Sequence, residues 1–163
     1  MKTFFKTSLL ILILAAITSC KKSCTNNSGM SCNDAGTTLI FGRFCGECIT
    51  NCATMYRLND GCLQVDATHN YITSTGINFK GTNMTAAQFN SVKGLNNKIP
   101  QQLLSSTMSV FGSPDSHDQC GYYLETKING VKQIWLVDTD TMFQPDYLKP
   151  FIIEVNHAIS LLH

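Results

Sequence analysis

Short apolar stretches, each ended by polar turn formers, mark the first half of the globular region. β-Branched and aromatic residues dominate residues 37–44, 53–58 and 62–68. Asn59-Asp60-Gly61, whose members tolerate a positive φ, separates the second stretch from the third. Apolar stretches bounded by such residues are typical of antiparallel strands. The pattern therefore predicts a meander of three strands.

The clearest local signal is Asn129-Gly130 between two β-rich stretches, residues 122–128 and 131–138. A type I′ turn needs a positive φ at both central positions, which asparagine and glycine adopt readily. The sequence predicts a β-hairpin here. One face of an alternating hairpin must be buried, so core packing is favoured over an aromatic binding surface for Trp135 and the tyrosines near it.

Helical patterns follow the meander and close the chain. Thr85 stands three residues before Gln88, the spacing of a capping box, and predicts a helix that runs to about Leu95. Pro100 can begin a short helix that extends through Ser105, because a first helical position needs no N–H. The last segment, residues 146–162, carries an apolar stripe at helical spacing: Leu148, Phe151, Ile152, Val155, Ile159 and Leu162. Pro150 fits only within the first turn of that helix.

These elements predict an α+β fold for a single domain over residues 37–163. An antiparallel sheet of about five strands would be covered on its apolar face by the C-terminal helix and the central helix. Mature chains of this size bury roughly two thirds of their unfolded surface, which suffices for one core.

The N-terminus carries a targeting signal. Lys2 and Lys6 precede an apolar run at residues 9–16, which is much shorter than the about 20 residues that a membrane-spanning helix needs. Ile17-Thr18-Ser19-Cys20 resembles the lipobox of bacterial lipoproteins, in which the cysteine thiol receives a diacylglycerol and begins the mature chain. The resemblance implies a signal peptide over residues 1–19 and lipidation of Cys20.

Residues 20–36 are expected to form a flexible tether behind that anchor. The segment is rich in Ser, Asn and Gly and shows no hydrophobic periodicity. The expected location is the cell envelope, with the protein held on the outer membrane by its lipid and facing the periplasm or the outside. The membrane, reached through the lipid anchor, is therefore one expected partner.

Composition excludes two other classes of protein. The 163 residues are 44% hydrophobic and 14% charged, with a formal charge of +1. A disordered chain has fewer apolar residues and a larger net charge, and a nucleic-acid-binding protein carries a clear basic excess. We therefore expect a folded domain that does not bind nucleic acid.

Eight cysteines are the most informative residues in the chain. If Cys20 carries the lipid, seven remain, and at least one of them lacks an intramolecular disulfide partner. Disulfides are the default in an exported protein. Cys24 and Cys32 fall in the tether, which leaves five cysteines for the domain: Cys45, Cys48, Cys52, Cys62 and Cys120.

Two other uses of these thiols are open. Cys45-Gly46-Glu47-Cys48 is similar to the redox motif of thioredoxin-like proteins, although the residues that follow it favour a helix only weakly. Cys45, Cys48, Cys52 and Cys62 could instead hold zinc as four thiolates. The paired CxxC motifs typical of such sites are missing, and an oxidising compartment favours disulfides.

A second polar group combines Asp115, His117 and Asp118 with the later Asp138 and Asp140. Such residues could bind a metal ion or supply an acid–base pair, which makes a metal-dependent hydrolase a further alternative. Turn formation is the favoured interpretation, because aspartate beside proline or at a strand end accepts hydrogen bonds from nearby backbone N–H groups. No metal ligand is assigned.

The chain also resembles small lipoproteins of the Bacteroidota that carry no assigned activity. The resemblance lies in the FGRFCGEC sequence at 41–48, in Cys52 and Tyr56, and in the PDxxDQxGYY pattern at 114–123. In that group an aromatic residue often stands at the position of Cys45 and a glycine at that of Cys120. These paired departures imply a disulfide between Cys45 and Cys120, with Cys48 and Cys52 as a second pair.

The favoured function is therefore a lipid-anchored envelope protein that acts without catalysis, as a binding or inhibitory module for an unidentified protein partner. No cofactor is expected. A thiol–disulfide oxidoreductase using Cys45 and Cys48 is the alternative, and the hydrolase around Asp115, His117 and Asp118 is less favoured. No catalytic residue can be assigned from the sequence.

Overall fold

A mixed β-sheet organises the part of the chain that the structure describes. The structure is a computed structural model that describes residues 32, 36–46, 48–49, 51–73, 75–116 and 119–163. Its strands are β1 (Thr38–Phe44), β2 (Ala53–Asn59), β3 (Cys62–Asp66), β4 (Gly81–Asn83), β5 (Val110–Phe111), β6 (Gly121–Ile128) and β7 (Val131–Asp138). They lie in the order β4-β3-β2-β1-β6-β7-β5.

The expected α+β class is confirmed, but the expected sheet of about five antiparallel strands is only partly matched. Strands β1, β2, β3, β6 and β7 pair antiparallel as the sequence suggests. Two further strands lengthen the sheet, β4 antiparallel to β3 and β5 parallel to β7. These have three and two residues, too few to show the alternation from which a strand is predicted.

The predicted hairpin is confirmed. Asn129 and Gly130 have φ values of 52° and 82°, as a type I′ turn requires, and β6 and β7 pair along their whole length. Trp135 and Tyr123 are almost completely buried, so they belong to the core and not to an aromatic binding surface.

The helices are α1 (Ala86–Val92), α2 (Gln101–Leu104) and α3 (Lys149–Leu162), and short 3₁₀ helices cover Leu95–Lys98 and Thr141–Phe143. The predicted capping box is present: the Gln88 N–H donates to Thr85 Oγ1, and the Thr85 N–H donates to Gln88 Oε1. Of the described helices, none is both long and apolar enough to cross a membrane.

One face of the sheet packs against the helices. The apolar stripe of α3, including Phe151, Ile152 and Val155, meets sheet residues such as Phe41 and Trp135 in a single buried cluster. Burying a side chain of this size contributes roughly 1.5–3 kcal/mol. The C-terminal helix therefore packs on the sheet, as its apolar stripe predicts.

The other face of the sheet carries a second, smaller core that the sequence pattern does not predict. Ile40, Phe44, Ala53, Met55 and Tyr123 form it. The segment between β3 and β4, residues 67–73 and 75–80, crosses this face and covers it with its own apolar side chains, Ile72, Ile77 and Phe79. We call this segment the strap. Both faces of the central strands are consequently buried.

The register gives the sheet two distinct ends. At the hairpin end lie the turn from Asn59 to Cys62 and the Asn129-Gly130 turn. At the loop end, Phe44 pairs with Ala53 on one side and with Gly121 on the other, and Gly121 pairs with Asp138. The loops that precede β2 and β6, the loop that follows β7 and the start of the strap therefore meet at the loop end.

Candidate binding site at the loop end of the sheet

Three disulfides pair the six cysteines that the structure describes. Cys45, just after β1, is bonded to Cys120, just before β6, and Cys48 is bonded to Cys52 within the β1–β2 loop. These are the two pairs that the resemblance to Bacteroidota lipoproteins implies. The Cys45 N–H also donates to the Cys52 carbonyl at 2.8 Å. At the loop end, one disulfide therefore joins the β1–β2 loop to the loop before β6, and the other closes the β1–β2 loop on itself.

The third disulfide corrects the expected position of Cys32. The sequence places Cys32 in a free tether, but in the structure it is bonded to Cys62, with the two Cα atoms 5.8 Å apart. Cys62 begins β3 at the hairpin end. The pairing joins residues 30 positions apart, so no local sequence pattern predicts it. Cys20, Cys24 and the expected signal peptide at residues 1–19 lie outside the described residues.

The disulfides pair the cysteines of the two thiol motifs differently from the arrangement that each motif would use. Cys45 and Cys48 belong to different disulfides, and after Cys52 the chain enters β2 at Ala53 and not a helix. Cys62 is also oxidised, so none of the four cysteines in the proposed zinc set is available as a thiolate. Among the described residues no cluster of three metal-ligating side chains is present.

Asp115 links three loops at this end. Its Oδ1 accepts the Gly46 N–H at 2.5 Å and its Oδ2 accepts the Tyr71 hydroxyl at 2.6 Å. Burial, and then the hydrogen bond to the Asp115 carboxylate, raise the pKa of Tyr71 to about 12. Tyr71 is therefore a stable hydrogen-bond donor at neutral pH, and Asp115 serves as a structural acceptor.

The hydrolase alternative loses part of its residue set to this arrangement. Both carboxylate oxygens of Asp115 already accept hydrogen bonds from the protein. His117 and Asp118 lie outside the described residues. Asp115 itself sits in a turn, where the Asp115 N–H donates to the Cys120 carbonyl at 3.1 Å.

Asp138 and Asp140 form turns, as the sequence suggests. Asp138 is buried, and its carboxylate accepts the N–H groups of Ser113 and Asp140 at 2.8 and 2.9 Å. Asp140 accepts the Met142 N–H at 2.8 Å and caps the 3₁₀ helix after β7. These carboxylates are used to shape backbone at the loop end.

Unusual backbone conformations concentrate at the same place. Of the five described non-glycine residues with positive φ, four lie at the loop end: Asn51, His69, Asp115 and Cys120. Such conformations persist where the surrounding structure imposes them, and they cluster at functional sites. His69 is held by Ala53, whose carbonyl lies 3.2 Å from Nδ1. The described parts of these loops are therefore held by specific contacts, and loops positioned by a sheet often carry binding residues.

Large apolar side chains project from these loops into solvent. Ile49 is 99% exposed, Met142 83% and Phe143 57%, and Tyr71 is 45% exposed while its ring packs edge-on against Phe44. Exposed apolar groups that gather at one end of a domain favour an interaction site. We call these four residues the apolar rim.

Several residues of this site could not be predicted from the sequence. His69 and Tyr71 belong to no recognisable motif, and Tyr71 is 44 positions from its partner Asp115. The strap brings His69 and Tyr71 to the loop end. The path of the strap follows from how it packs on the second face of the sheet, which the sequence does not show.

Comparison with known proteins identifies no family for this chain. No protein-family model matches the chain, and no curated protein matches it at a significant level.

Proposed function

We propose that this protein is a lipid-anchored component of the bacterial cell envelope that binds a partner protein through its loop end and carries out no chemistry of its own. The proposal combines the lipobox-like sequence ending in Cys20 with the oxidised state of the six described cysteines. Structural disulfides persist in exported proteins and are rare in reducing compartments.

The observation that carries the binding role is the apolar rim. Ile49 and Tyr71 are exposed on segments held by disulfides and by Asp115, and Met142 and Phe143 are exposed on the 3₁₀ helix that Asp140 caps. Exposed aromatic and methionine side chains are also those enriched at protein interfaces.

The polar groups at the loop end favour binding over catalysis. Asp115, Asp138 and Asp140 accept hydrogen bonds from backbone N–H groups, and Asp115 also accepts one from the Tyr71 hydroxyl. Carboxylates that accept backbone N–H groups in this way shape the loops, which supports a binding role for this end. The near-neutral formal charge of +1 supports a protein partner rather than a nucleic acid.

The anchor is tested by metabolic labelling with an alkyne fatty acid in cells that make the full chain. We expect the wild-type protein and Cys24→Ser to be labelled and to enter the detergent phase, and Cys20→Ser to lose both properties. Alkylation without reduction should then modify Cys24 alone, because the six described cysteines pair with one another. Labelling of Cys20→Ser at the wild-type level would contradict the anchor.

The binding site is tested by photo-crosslinking in the same cells. A benzophenone amino acid at Ile49 or Phe143 should give the same discrete adduct. Ile153 on α3 is 66% exposed, does not belong to the apolar rim, and provides the control. Equal adducts from Ile153, or different adducts from the two rim positions, would contradict a single partner at the loop end.

A further inference from the structure

The Cys32–Cys62 disulfide decides at which end of the domain the tether arrives. Cys62 pairs with Asn59 across the tight turn at the hairpin end. Twelve positions separate Cys20 from Cys32 in the sequence. A chain segment of that length spans at most about 40 Å. A lipid on Cys20 would hold the hairpin end close to the membrane.

The loop end lies at the far side of the sheet. β6 has eight residues and runs from the loop end at Gly121 to the hairpin end at Ile128. Strands rise about 3.4 Å per residue, so about 25 Å separates the two ends. A tether attached at the hairpin end therefore favours orientations in which the apolar rim points away from the bilayer.

The tip of the β6–β7 hairpin carries charges that fit an anionic surface. Lys127 and Lys132 are directly opposite each other in the register, and both are exposed. Like charges in this position destabilise a strand pair unless an opposite charge compensates them. Lys132 pairs with Glu125 at 3.1 Å, whereas the described residues provide no ion pair for Lys127.

The tip also has an apolar group at its end. Val131, next to the Asn129-Gly130 turn, is 64% exposed. In the sequence, Lys21 and Lys22 follow the lipidation cysteine and add positive charge beside the anchor. Asp60, in the neighbouring turn, is the acidic residue at this end.

We propose that the hairpin tip, formed by Lys127 and Val131, lies against anionic phospholipid head groups and orients the domain with its loop end outward, while Lys132 Nζ is held within the domain by Glu125 and the Thr75 carbonyl. This inference depends on the lipid anchor of the proposed function. Lysine ammonium groups near such a surface are attracted to lipid phosphates, and the valine side chain enters the interfacial layer. The tip thus adds a second, weaker membrane contact to that of the lipid.

The test uses the lipidated full-length protein reconstituted in vesicles that contain brominated phosphatidylglycerol. Val131→Trp places a fluorophore at the tip, and Phe143→Trp places a matched one on the apolar rim. We expect the bromine atoms to quench the first fluorophore and not the second. Vesicles of brominated phosphatidylcholine, which is neutral overall, should quench the tip less.

Charge is tested by Lys127→Gln and by Lys127→Glu, both in the Val131→Trp protein. Each unit of positive charge removed should lower the ratio of docked to undocked orientations about fivefold. Quenching that is unchanged in Lys127→Glu, or equal at Val131→Trp and Phe143→Trp, would overturn the docking. Flotation of the protein with the vesicles measures the lipid anchor separately. If flotation persists without quenching at the tip, only the docking is wrong. If flotation fails, both proposals are wrong.

Discussion

At the scale of single residues, Asp115 determines how the loop end is held together. One carboxylate accepts a backbone N–H from the β1–β2 loop and a hydroxyl from the strap. Its own backbone has a φ of 66°, which aspartate and asparagine tolerate better than other non-glycine residues. The residue therefore combines a local conformational role with a contact between distant parts of the chain.

Replacing Asp115 with alanine should lower the free energy of unfolding by about 1–3 kcal/mol, because it leaves the Gly46 N–H and the Tyr71 hydroxyl without their acceptor. Asp115→Asn should lose less, since an amide oxygen can still accept one of these bonds and asparagine tolerates the positive φ. Urea denaturation measures both. Asp146→Ala, which removes a solvent-exposed ion pair with Lys149, should change little. An Asp115→Ala protein as stable as wild type would contradict the bracing role.

Tyr71 gives the loop end a defined response to alkali. Its pKa in the folded protein is raised to about 12 by burial and by the Asp115 carboxylate, above the ordinary value of 10.0. The folded state therefore holds this proton more tightly than the unfolded state. The stability that this provides is complete below pH 10 and is lost as the pH rises towards 12. Ultraviolet titration of wild type against Tyr71→Phe isolates the transition, and a difference curve centred near pH 10 would disprove the contact.

At the scale of elements, the strap is the least expected part of the fold. It lacks helix and extended strand pairing, yet its apolar side chains complete the second core. Its turn at Gly76 lies over a buried polar group in which Tyr123 donates to Glu125 and Lys132 pairs with Glu125. Burial, and then the hydrogen bond to Glu125, raise the pKa of Tyr123, which keeps this hydroxyl protonated.

Gly76→Ala should destabilise the strap. Gly76 has a φ of 107°, and an added Cβ would lie 2.8 Å from Lys132 Nζ and 3.0 Å from Glu125 Oε2. We expect a loss of about 1–3 kcal/mol in the free energy of unfolding and faster amide exchange in the strap. Gly94→Ala is the matched control, because open space surrounds its Cβ position. Equal effects of the two substitutions would show that the strap does not need this close approach.

At the scale of the whole molecule, disulfides tie together segments that are far apart in the sequence. Cys45 and Cys120 are 75 positions apart, whereas Cys48 and Cys52 are four apart. A longer closed loop restricts the unfolded chain more. The two bonds at the loop end should therefore differ in their effect on stability although they lie side by side.

Replacing Cys45 and Cys120 together with alanine should cost about 4 kcal/mol, and the same change at Cys48 and Cys52 about 2 kcal/mol. Denaturant titration of the two double variants under non-reducing conditions makes the comparison. A larger loss from the Cys48–Cys52 variant would mean that the short bridge acts on the folded state and not on the unfolded chain.

The local elements could be predicted because their causes lie within a few residues. The capping box of Thr85 and Gln88 needs one turn of helix, and the Asn129-Gly130 turn needs only two backbone conformations. The stripe of α3 repeats every three or four residues. In each case the physical interaction is short in sequence, so a pattern in the sequence is enough to reveal it.

By itself, the sequence determined the α+β class, the hairpin, the capped helix and the amphipathic C-terminal helix, since local propensity and periodic burial specify these. Only the tertiary structure decided the course of the strap, the short strands β4 and β5, and the bond between Cys32 and Cys62. It also brought Tyr71 to Asp115. Contacts of this kind depend on which distant segments the two cores bring together. They leave no periodic pattern along the chain, so the sequence alone does not reveal them.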